Sequence, residues 1–260
     1  MSLLPAEVYR AAQVRELDRC VIEQHGILGF TLMQRAASAA FRELRWRWPD
    51  ARRMVVVCGP GNNGGDGLLL AALAHTEGLD VRVLLACDPA ALQGDAAQAL
   101  RELLSAGLRA RPFEVDAFAD AEVIVDALLG IGLTRPAEGA FRQIIDAINH
   151  AHAGGVRVLA VDIPSGLDAD RGIVLGAAVK ADVTVCFIGL KLGLLTGVGS
   201  HHCGRLVFAG LDIPTAAYTG LTPAALRITD SQRRAALPPR RRDAHKGSHG
   251  HVVLIGGDAG

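Results

Sequence analysis

The sequence has few aromatic residues, no excess of either charge and no long apolar run. Aromatic residues make up 4% of the 260 residues, and 27 basic side chains balance 27 acidic ones. A net charge of zero argues against a nucleic-acid-binding protein, and a membrane span would need about 18 consecutive apolar residues. Because 50% of the residues are hydrophobic, we expect a globular chain with a core of small aliphatic side chains, and neither a membrane nor a nucleic acid as partner.

A CxxC pair is also lacking among the 5 cysteines. Cys58 and Cys186 lie inside apolar stretches, where cysteine behaves as a small hydrophobic residue. The first residues contain no cationic segment followed by an apolar one, so the sequence indicates no secretory signal. An odd, scattered set of thiols is typical of a reducing compartment, which predicts a cytoplasmic location.

Apolar runs alternate with helical patterns along most of the chain. Continuous apolar runs are typical of strands buried on both faces of a parallel sheet. Strand, helix and strand in regular succession indicate right-handed βαβ units. The predicted fold is therefore α/β: a Rossmann-like, doubly wound, mostly parallel sheet with helices on both faces, in three αβα layers. The predicted strands cover residues 54–58, 81–85, 123–126, 156–162, 183–187 and 206–208, and the predicted helices cover residues 7–24, 31–46, 68–77, 91–106 and 139–153. Thr31 is the expected N-cap of the second helix and Gly78 the C-cap of the third.

Residues 59–67, GPGNNGGDG, follow the first of these strands and precede a helix. Their first six positions satisfy GxGxxG, a pattern that brings backbone N–H groups close to a phosphate. The simplest interpretation is an NAD-dependent dehydrogenase. Asn62 and Asn63 place amides where such loops usually have small or apolar residues, and Asp66 would repel a pyrophosphate in the usual pose. The loop therefore predicts a nucleotide-type ligand bound in a different way.

Polar residues also follow the other strands. Asp126 and Asp162 end two of them, Ser165 offers a hydroxyl or carbonyl oxygen, and Lys191 follows a third. Ligands of doubly wound folds bind at the carboxyl ends of strands, so we expect Asp66, Asp126 and Asp162 to gather at one edge of the sheet. Three carboxylates in one cleft require a cation or a bound proton, and hard oxygen ligands favour an alkali or alkaline-earth ion over zinc. Taken alone, Asp126 is equally compatible with a turn cap, and Lys191 with a solvated side chain.

The composition changes near residue 226. The Pro- and Arg-rich stretch at 237–242 is typical of a linker, and a new predicted strand at 252–255 runs into a second glycine-rich loop. We therefore predict a first domain over 1–225, a linker over 226–245 and, at 246–260, the truncated start of another domain. The chain is interpreted as part of a longer, two-domain polypeptide.

Five segments together carry a close resemblance to the NAD(P)HX epimerase family, the YjeF N-terminal-type domain. They are GILGFTLMQRAA at 26–37, GPGNNGGDG at 59–67, VDALLGIGL at 125–133, VDIPSGLDAD at 161–170 and KADVTVCFIGLK at 180–191. Their order and spacing agree with the family over nearly all of residues 7–215. The tail at 246–260 resembles the opening of the ADP- or ATP-dependent NAD(P)HX dehydratase domain.

The resemblance implies an isomerase that interconverts the R and S forms of hydrated NADH and NADPH, called NADHX and NADPHX, in nicotinamide cofactor repair. It implies a potassium ion in the epimerase domain and a homo-oligomer, a dimer or higher. For the full-length protein it also implies an S-specific, ADP-dependent NAD(P)HX dehydratase, a lyase that would use ADP or ATP with Mg²⁺.

The resemblance also assigns residues to roles. Potassium ligands fall on Asn63, Asp126 and Ser165. Asp162 is the predicted general acid/base because it sits at a strand end, and Lys191 is a second candidate. Substrate contacts are assigned to Asn62, Asn63, Gly64, Gly65, Asp66, Gly130, Ile131, Gly132, Leu133, Thr134, Arg135, Pro136 and Asp162.

The sequence departs from the family pattern in places, and two alternatives stay open. Ile131 stands where the family usually has threonine, so a hydroxyl contact near the substrate is lost; Gln34 and Ala37 replace the usual glutamate and glycine. One alternative is a non-catalytic nucleotide- or protein-binding module of the same fold, which predicts eroded motifs. The other is an ordinary Rossmann dehydrogenase, for which Asp88 is the candidate ribose-binding acid.

Overall fold

A seven-stranded parallel sheet forms the centre of the protein. The computed structural model describes residues 4–114, 116–236 and 253. The chain divides into two compact units, Met1–Leu226 and Arg227–Gly260. The strands of the first unit are β1 Glu7–Val8, β2 Arg53–Cys58, β3 Asp80–Leu85, β4 Ala110–Arg111, β5 Val123–Ala127, β6 Arg157–Val161, β7 Val183–Phe187, β8 Arg205–Ala209 and β9 Ala225–Leu226.

The strand order of the large sheet is β4-β3-β2-β5-β6-β7-β8, and every neighbouring pair is parallel. The chain runs outward in one direction from β2 and in the other from β5, so the order reverses between these two strands. This switch point is where doubly wound folds bind their ligands. The short strands β1 and β9 pair with each other, antiparallel, outside the large sheet.

Helices cover both faces of the sheet, as predicted. They are α1 Ala11–Glu23, α2 Gly29–Arg47, α3 Asn62–Thr76, α4 Gly94–Ser105, α5 Gly139–Ala153 and α6 Gly199–His202. Alternate strand residues face opposite layers: Val56 packs in one buried cluster with residues of α2, α3 and α4, whereas Val55 and Val57 pack in a second cluster with Ile144 and Ile148 of α5. Within the part of the chain that the structure describes, no helix combines the length and apolar character needed to cross a membrane.

The first four helices do not begin at the predicted residues; α4, for example, begins at Gly94 instead of residue 91. Residues 7 and 8 form β1 instead of the first turn of α1, because they pair with β9. Helix α2 begins at Gly29 with Leu28 at its N-cap, so the prediction that Thr31 caps this helix is wrong.

Helix α3 begins at Asn62, six residues before its predicted start at 68, because the glycines of the loop are already helical. At its other end the C-cap is Glu77, and Gly78 follows it with φ +81°. Gly78 thus takes the left-handed position just beyond the helix, where glycine is strongly favoured.

In the second unit the structure describes residues 227–236 and 253. These include helix α7, Asp230–Ala236. The predicted domain start at 246–260 lies outside the described residues except for Val253, and so does the strand predicted at 252–255. The domain boundaries at 225 and 245 stay predictions.

Candidate active site

A cleft of about 580 Å³ lies at the carboxyl ends of β2, β5, β6 and β7. Helices α1 and α2 supply one side, and the loops that follow the strands supply the rest. Among the predicted site residues, those that line the cleft are Asn62, Asn63, Asp66, Asp162, Lys191 and the six residues 130–135. The other five, Gly64, Gly65, Asp126, Pro136 and Ser165, are not part of its lining.

The glycines of residues 59–67 hold the start of α3 tightly against the sheet. A Cβ atom on Gly64 would lie 2.0 Å from the carbonyl oxygen of Gly59, and one on Gly67 would lie 2.5 Å from the Cβ of Ala127. Gly65 packs equally closely on Met33 of α2. Gly64 and Gly65 are thus required for packing between elements, and they lie behind the residues that face the cleft.

Asp162 and Lys191 form a buried ion pair on the cleft floor. Lys191 Nζ donates hydrogen bonds to Asp162 Oδ1 and to the Phe187 carbonyl oxygen, the latter at 2.9 Å. The Phe187 N–H donates to the same carboxylate oxygen at 3.1 Å. The side chain of Lys191 is 1% exposed and that of Asp162 is 13% exposed. Burial lowers the pKa of Lys191, but the neighbouring carboxylate outweighs burial and raises the pKa above its ordinary value.

An unusual backbone conformation directs Asp162 into the cleft. Val158 and Ala160 of β6 face the α5 layer, and simple alternation would send residue 162 the same way. Asp162 instead has φ +68°, a left-handed conformation that Asp tolerates better than most residues. The turn interrupts the alternation directly after the strand, so the carboxylate faces the cleft.

Three further carboxyl groups, those of Asp18, Asp66 and Asp95, line the cleft with this pair, and two of them have a raised pKa. Burial and the Asp162 charge raise the pKa of Asp66 well above its ordinary range. Burial is also the main cause that raises the pKa of Asp18, on α1, to about 6; Lys191 opposes this shift and Asp162 adds to it. The carboxyl groups of Asp18, Asp66 and Asp162 therefore lie near one ammonium group, and the raised pKa of Asp66 favours its protonated form.

Asp126 and Ser165 form a separate network beneath the cleft. The Ser165 N–H donates to Asp126 Oδ2 at 2.8 Å, and its hydroxyl donates to Asp126 Oδ1 at 2.5 Å. The Leu129 N–H donates to the Ser165 hydroxyl at 2.7 Å. Burial raises the pKa of Asp126 to about 6, although the hydrogen bonds from Ser165 and Leu128 lower it. The expectation that Asp126 joins Asp66 and Asp162 in one cleft is wrong, because Asp126 follows Ile124 in alternation and faces the α5 side of the sheet.

Asn63 is the polar residue between the cleft and this network. Both atoms of its side-chain amide are buried without a hydrogen-bond partner within residues 4–114 and 116–236. The side chain packs against Gly130, the residue after Leu129. An unsatisfied buried polar group costs about 1–3 kcal/mol, so this amide is suited to bind a ligand. Its oxygen, the Asp126 carboxylate and the Ser165 hydroxyl are hard donors, which fit an alkali cation. No group of three or more His, Cys, Asp or Glu side chains suited to a metal ion occurs in the described ranges.

The sequence reasoning missed Asp18. The buried residues of α1 include Val14, Leu17 and Val21, and Asp18 lies four residues after Val14, at the edge of this apolar stripe. An acidic residue at a stripe position of an amphipathic helix was the available signal.

Comparisons with known proteins identify the family of this chain. A family described as YjeF-related protein N-terminus matches residues 29–193. The bifunctional NAD(P)H-hydrate repair enzyme Nnr of Coxiella burnetii is 45% identical over 253 residues, which is 97% of this chain and 51% of that enzyme. The corresponding Escherichia coli enzyme is 39% identical, over 99% of this chain and 49% of its own length. The chain thus spans about half the length of these relatives.

A shorter relative covers the same region alone. The NAD(P)H-hydrate epimerase of Limosilactobacillus fermentum is 40% identical over 205 residues, which is 76% of this chain and 94% of that enzyme. The crystal structure of yeast ynu0 is similar in fold, with a TM-score of 0.71 at 20% identity over 87% of this chain and 98% of the yeast chain. On the family match and the Limosilactobacillus relative, this chain belongs to the family of YjeF-related protein N-terminal domains.

Proposed function

We propose that the cleft epimerises hydrated nicotinamide cofactors, interconverting the R and S forms of NADHX and NADPHX. The observation that carries the proposal is the buried Asp162–Lys191 pair, which follows β6 and β7 inside a cleft that is large enough for a nucleotide and reaches the switch point between β2 and β5. The names of the relatives, NAD(P)H-hydrate epimerase and NAD(P)H-hydrate repair enzyme, supply the substrate class.

Substrate binding rests on the start of α3 and on residues 130–135. The first turn of a helix presents unpaired backbone N–H groups, which favour a phosphate. The raised pKa of Asp66 reduces the repulsion that a charged carboxylate would exert there. Asn62, Asn63 and residues 130–135 line the same part of the cleft, and they form the proposed nucleotide contacts.

The chemistry requires cleavage and re-formation of one C–O bond. The C6 hydroxyl is protonated and leaves as water, while the N1 lone pair forms a double bond to C6. Water then adds to the opposite face, and its proton passes to a carboxylate. Asp162 is the proposed acceptor of that proton, since its carboxylate lines the cleft and is held in position by hydrogen bonds from two N–H groups. Lys191 is buried and fully engaged, so its proposed role is to position Asp162.

Asn63, Asp126 and Ser165 would hold a potassium ion, which would supply positive charge beside a buried carboxylate. The orphaned Asn63 amide is the support for this assignment. We expect thermal unfolding in KCl to occur at a higher temperature than in choline chloride at equal ionic strength, because a bound ion stabilises the folded state. An Asn63→Ala variant should lose most of this difference; an unchanged difference would contradict the assignment.

The decisive experiment supplies the 260-residue chain with NADPHX enriched in the R epimer and follows the S epimer by chromatography. We expect Asp162→Asn to lower kcat by roughly 10²–10⁴-fold, the usual contribution of a general acid or base, with little change in KM. Asparagine also tolerates the left-handed backbone, so the loop should survive. Asp80→Asn removes an exposed carboxylate at the start of β3 and is the matched control. Wild-type protein with no epimerisation above the uncatalysed rate would refute the proposal.

In the full-length protein, we propose that this activity feeds an S-specific, ADP-dependent dehydratase. The cytoplasmic location and the oligomer stay predictions. The non-catalytic alternative predicts eroded motifs. It is less favoured, because Asn63, Asp66 and Asp162 are all present and all line the cleft.

A further inference from the structure

Asp18 is a carboxyl group of the cleft that the mechanism above leaves without a role. It lies on α1, is partly buried and lines the cleft. Its carboxyl group forms no hydrogen bond or salt bridge with another residue in the ranges 4–114 and 116–236. A carboxyl group that is withdrawn from water without a structural partner is unusual and is available to a ligand.

The backbone brings α1 to the catalytic floor. Tyr9, two residues before α1, pairs with Lys191: its N–H donates to the Leu190 carbonyl oxygen at 2.7 Å, and its own carbonyl oxygen accepts from the Leu192 N–H at 2.9 Å. The start of α1 is therefore fixed to the segment that carries the lysine. Asp18 follows two turns later and faces the same cleft.

The titratable groups around Asp18 come from three further elements. Asp162 and Lys191 face it from the strand ends, Asp66 from α3, and Tyr218 from the segment after β8. Tyr218 donates its hydroxyl to the Ile188 carbonyl oxygen at 2.6 Å, and Lys191 is already paired with Asp162. Arg15, which donates to the Ile131 carbonyl oxygen at 3.3 Å, and Arg135 also line the cleft, but neither forms a salt bridge with Asp18 within the described ranges.

Four carboxyl groups line the cleft, those of Asp18, Asp66, Asp95 and Asp162, and three of them differ in their surroundings. Asp162 is paired with an ammonium group and acts as an acceptor. Burial and the Asp162 charge raise the pKa of Asp66 well above its ordinary range, which favours its protonated form. Burial raises the pKa of Asp18 to about 6, close to the pH at which a general acid/base works best.

We propose that Asp18 is the second catalytic acid/base of the cleft and exchanges a proton with the C6 oxygen from α1, while Asp162 acts from the end of β6. This inference rests on the proposed epimerase function. In one direction the Asp18 proton passes to the C6 hydroxyl, the C6–O bond breaks with its electron pair on oxygen, and water leaves as the N1 lone pair forms the N1–C6 double bond. Water adds to the other face, that electron pair returns to N1, and Asp162 takes the proton. The reverse direction exchanges the two roles, so each carboxyl group serves one face of the ring.

The test compares Asp18→Asn with wild type in both directions, on R-enriched and S-enriched NADPHX. We expect kcat to fall roughly 10²–10³-fold in both directions. KM should change by less than about threefold, because the substitution removes an interaction made in the transition state. Wild-type kcat/KM should decline as pH rises through about 6. The reaction requires one proton on the pair of Asp18 and Asp162, and Asp18 loses its proton above this pH. Asp18→Asn should lack that decline, and Asp18→Glu should restore it together with part of the rate. Glu23→Gln, an exposed position on the same helix, is the charge-matched control.

Two outcomes separate the two proposals. If the wild type is active and the kcat of Asp18→Asn lies within about twofold of it, the role of Asp18 is overturned and the epimerase function stands. The same conclusion follows if Asp18→Asn keeps the decline of kcat/KM with pH. Inactive wild type on both epimers would overturn the function and this role together. Thermal unfolding of each variant checks that it is folded. A folded Asp18→Glu variant that is inactive and shows no decline of kcat/KM with pH would also contradict the catalytic role of Asp18.

Discussion

Replacing Lys191 by methionine removes the ammonium group from the most buried ion pair of the described chain while nearly conserving side-chain volume. Two groups then lose their partner: the Asp162 carboxylate and the Phe187 carbonyl oxygen, both bonded to Lys191 Nζ in the wild type. The variant is therefore expected to be much less stable, because a charge is left unpaired in a poorly hydrated place.

The size of the loss follows from the burial. Removing one partner of a buried ion pair costs about 3–5 kcal/mol, and Asp162 keeps 13% exposure toward the cleft, so water can solvate part of its charge. We therefore expect about 3 kcal/mol, at the low end. For a domain of this size, this corresponds to a fall in Tm of roughly 6–12 °C, at about 2–4 °C per kcal/mol.

The pH dependence has a defined sign. Burial lowers the pKa of Lys191, but Asp162 raises it above the ordinary 10.5, so the stabilisation by the pair is complete below that value and is lost only as pH rises through the higher, folded pKa. Between about pH 6 and 9 the wild-type pair should thus contribute a constant amount.

Urea unfolding followed by circular dichroism gives the free energy directly. Lys180→Met, at an exposed position, is the control and should cost less than about 0.5 kcal/mol. Adding Asp162→Asn to Lys191→Met should recover part of the loss, which a double-mutant cycle measures. A Lys191→Met variant within about 0.5 kcal/mol of wild type would refute the view that this pair is a buried, mutually dependent unit.

Two further predictions concern packing. Gly64→Ala should destabilise the protein by at least about 1–3 kcal/mol, because the added Cβ would lie 2.0 Å from the Gly59 carbonyl oxygen. Gly61→Ala is the control: its added Cβ would meet no atom within 4 Å, so its free energy of unfolding in the same urea titration should be nearly that of the wild type. Cys58 is 0% exposed and burial raises its pKa, so a thiol reagent should modify Cys20, which is partly exposed, long before Cys58; equal rates in the native state would contradict the packing around β2.

Six of the seven strands of the large sheet were predictable from the sequence because they lie in apolar runs, whereas the two-residue strand β4 was not predicted. Residues 183–187 were predicted as a strand and form β7 with the same bounds. The early start of α3 was not predictable in this way, since glycine disfavours a helix intrinsically and only the close contact with the sheet explains it. Strands β1 and β9 are two residues each and meet across most of the chain, so no local pattern indicates them.

The site was predictable in its residue types but only partly in its arrangement. Position at a strand end correctly suggested a cleft containing Asp66 and Asp162. It did not separate Asp162 from Asp126, because that difference depends on the left-handed φ of Asp162 and on the parity of Asp126 within β5. Asp18 was missed since it lies far from the glycine-rich loop in sequence, and only the tertiary fold brings α1 to the cleft.

Because Lys191 is buried, its chemical labelling measures local opening of the cleft. Lys180 and Lys191 are the lysines of the described ranges, one exposed and one 1% exposed. An acylating reagent needs a free, accessible amine, and Lys191 is shielded by packing and kept protonated by its partner. The ratio of acylation rates at the two lysines therefore gives the population of molecules in which the floor of the cleft has come apart. Any ligand that fills the cleft should slow labelling at Lys191 and leave Lys180 unchanged.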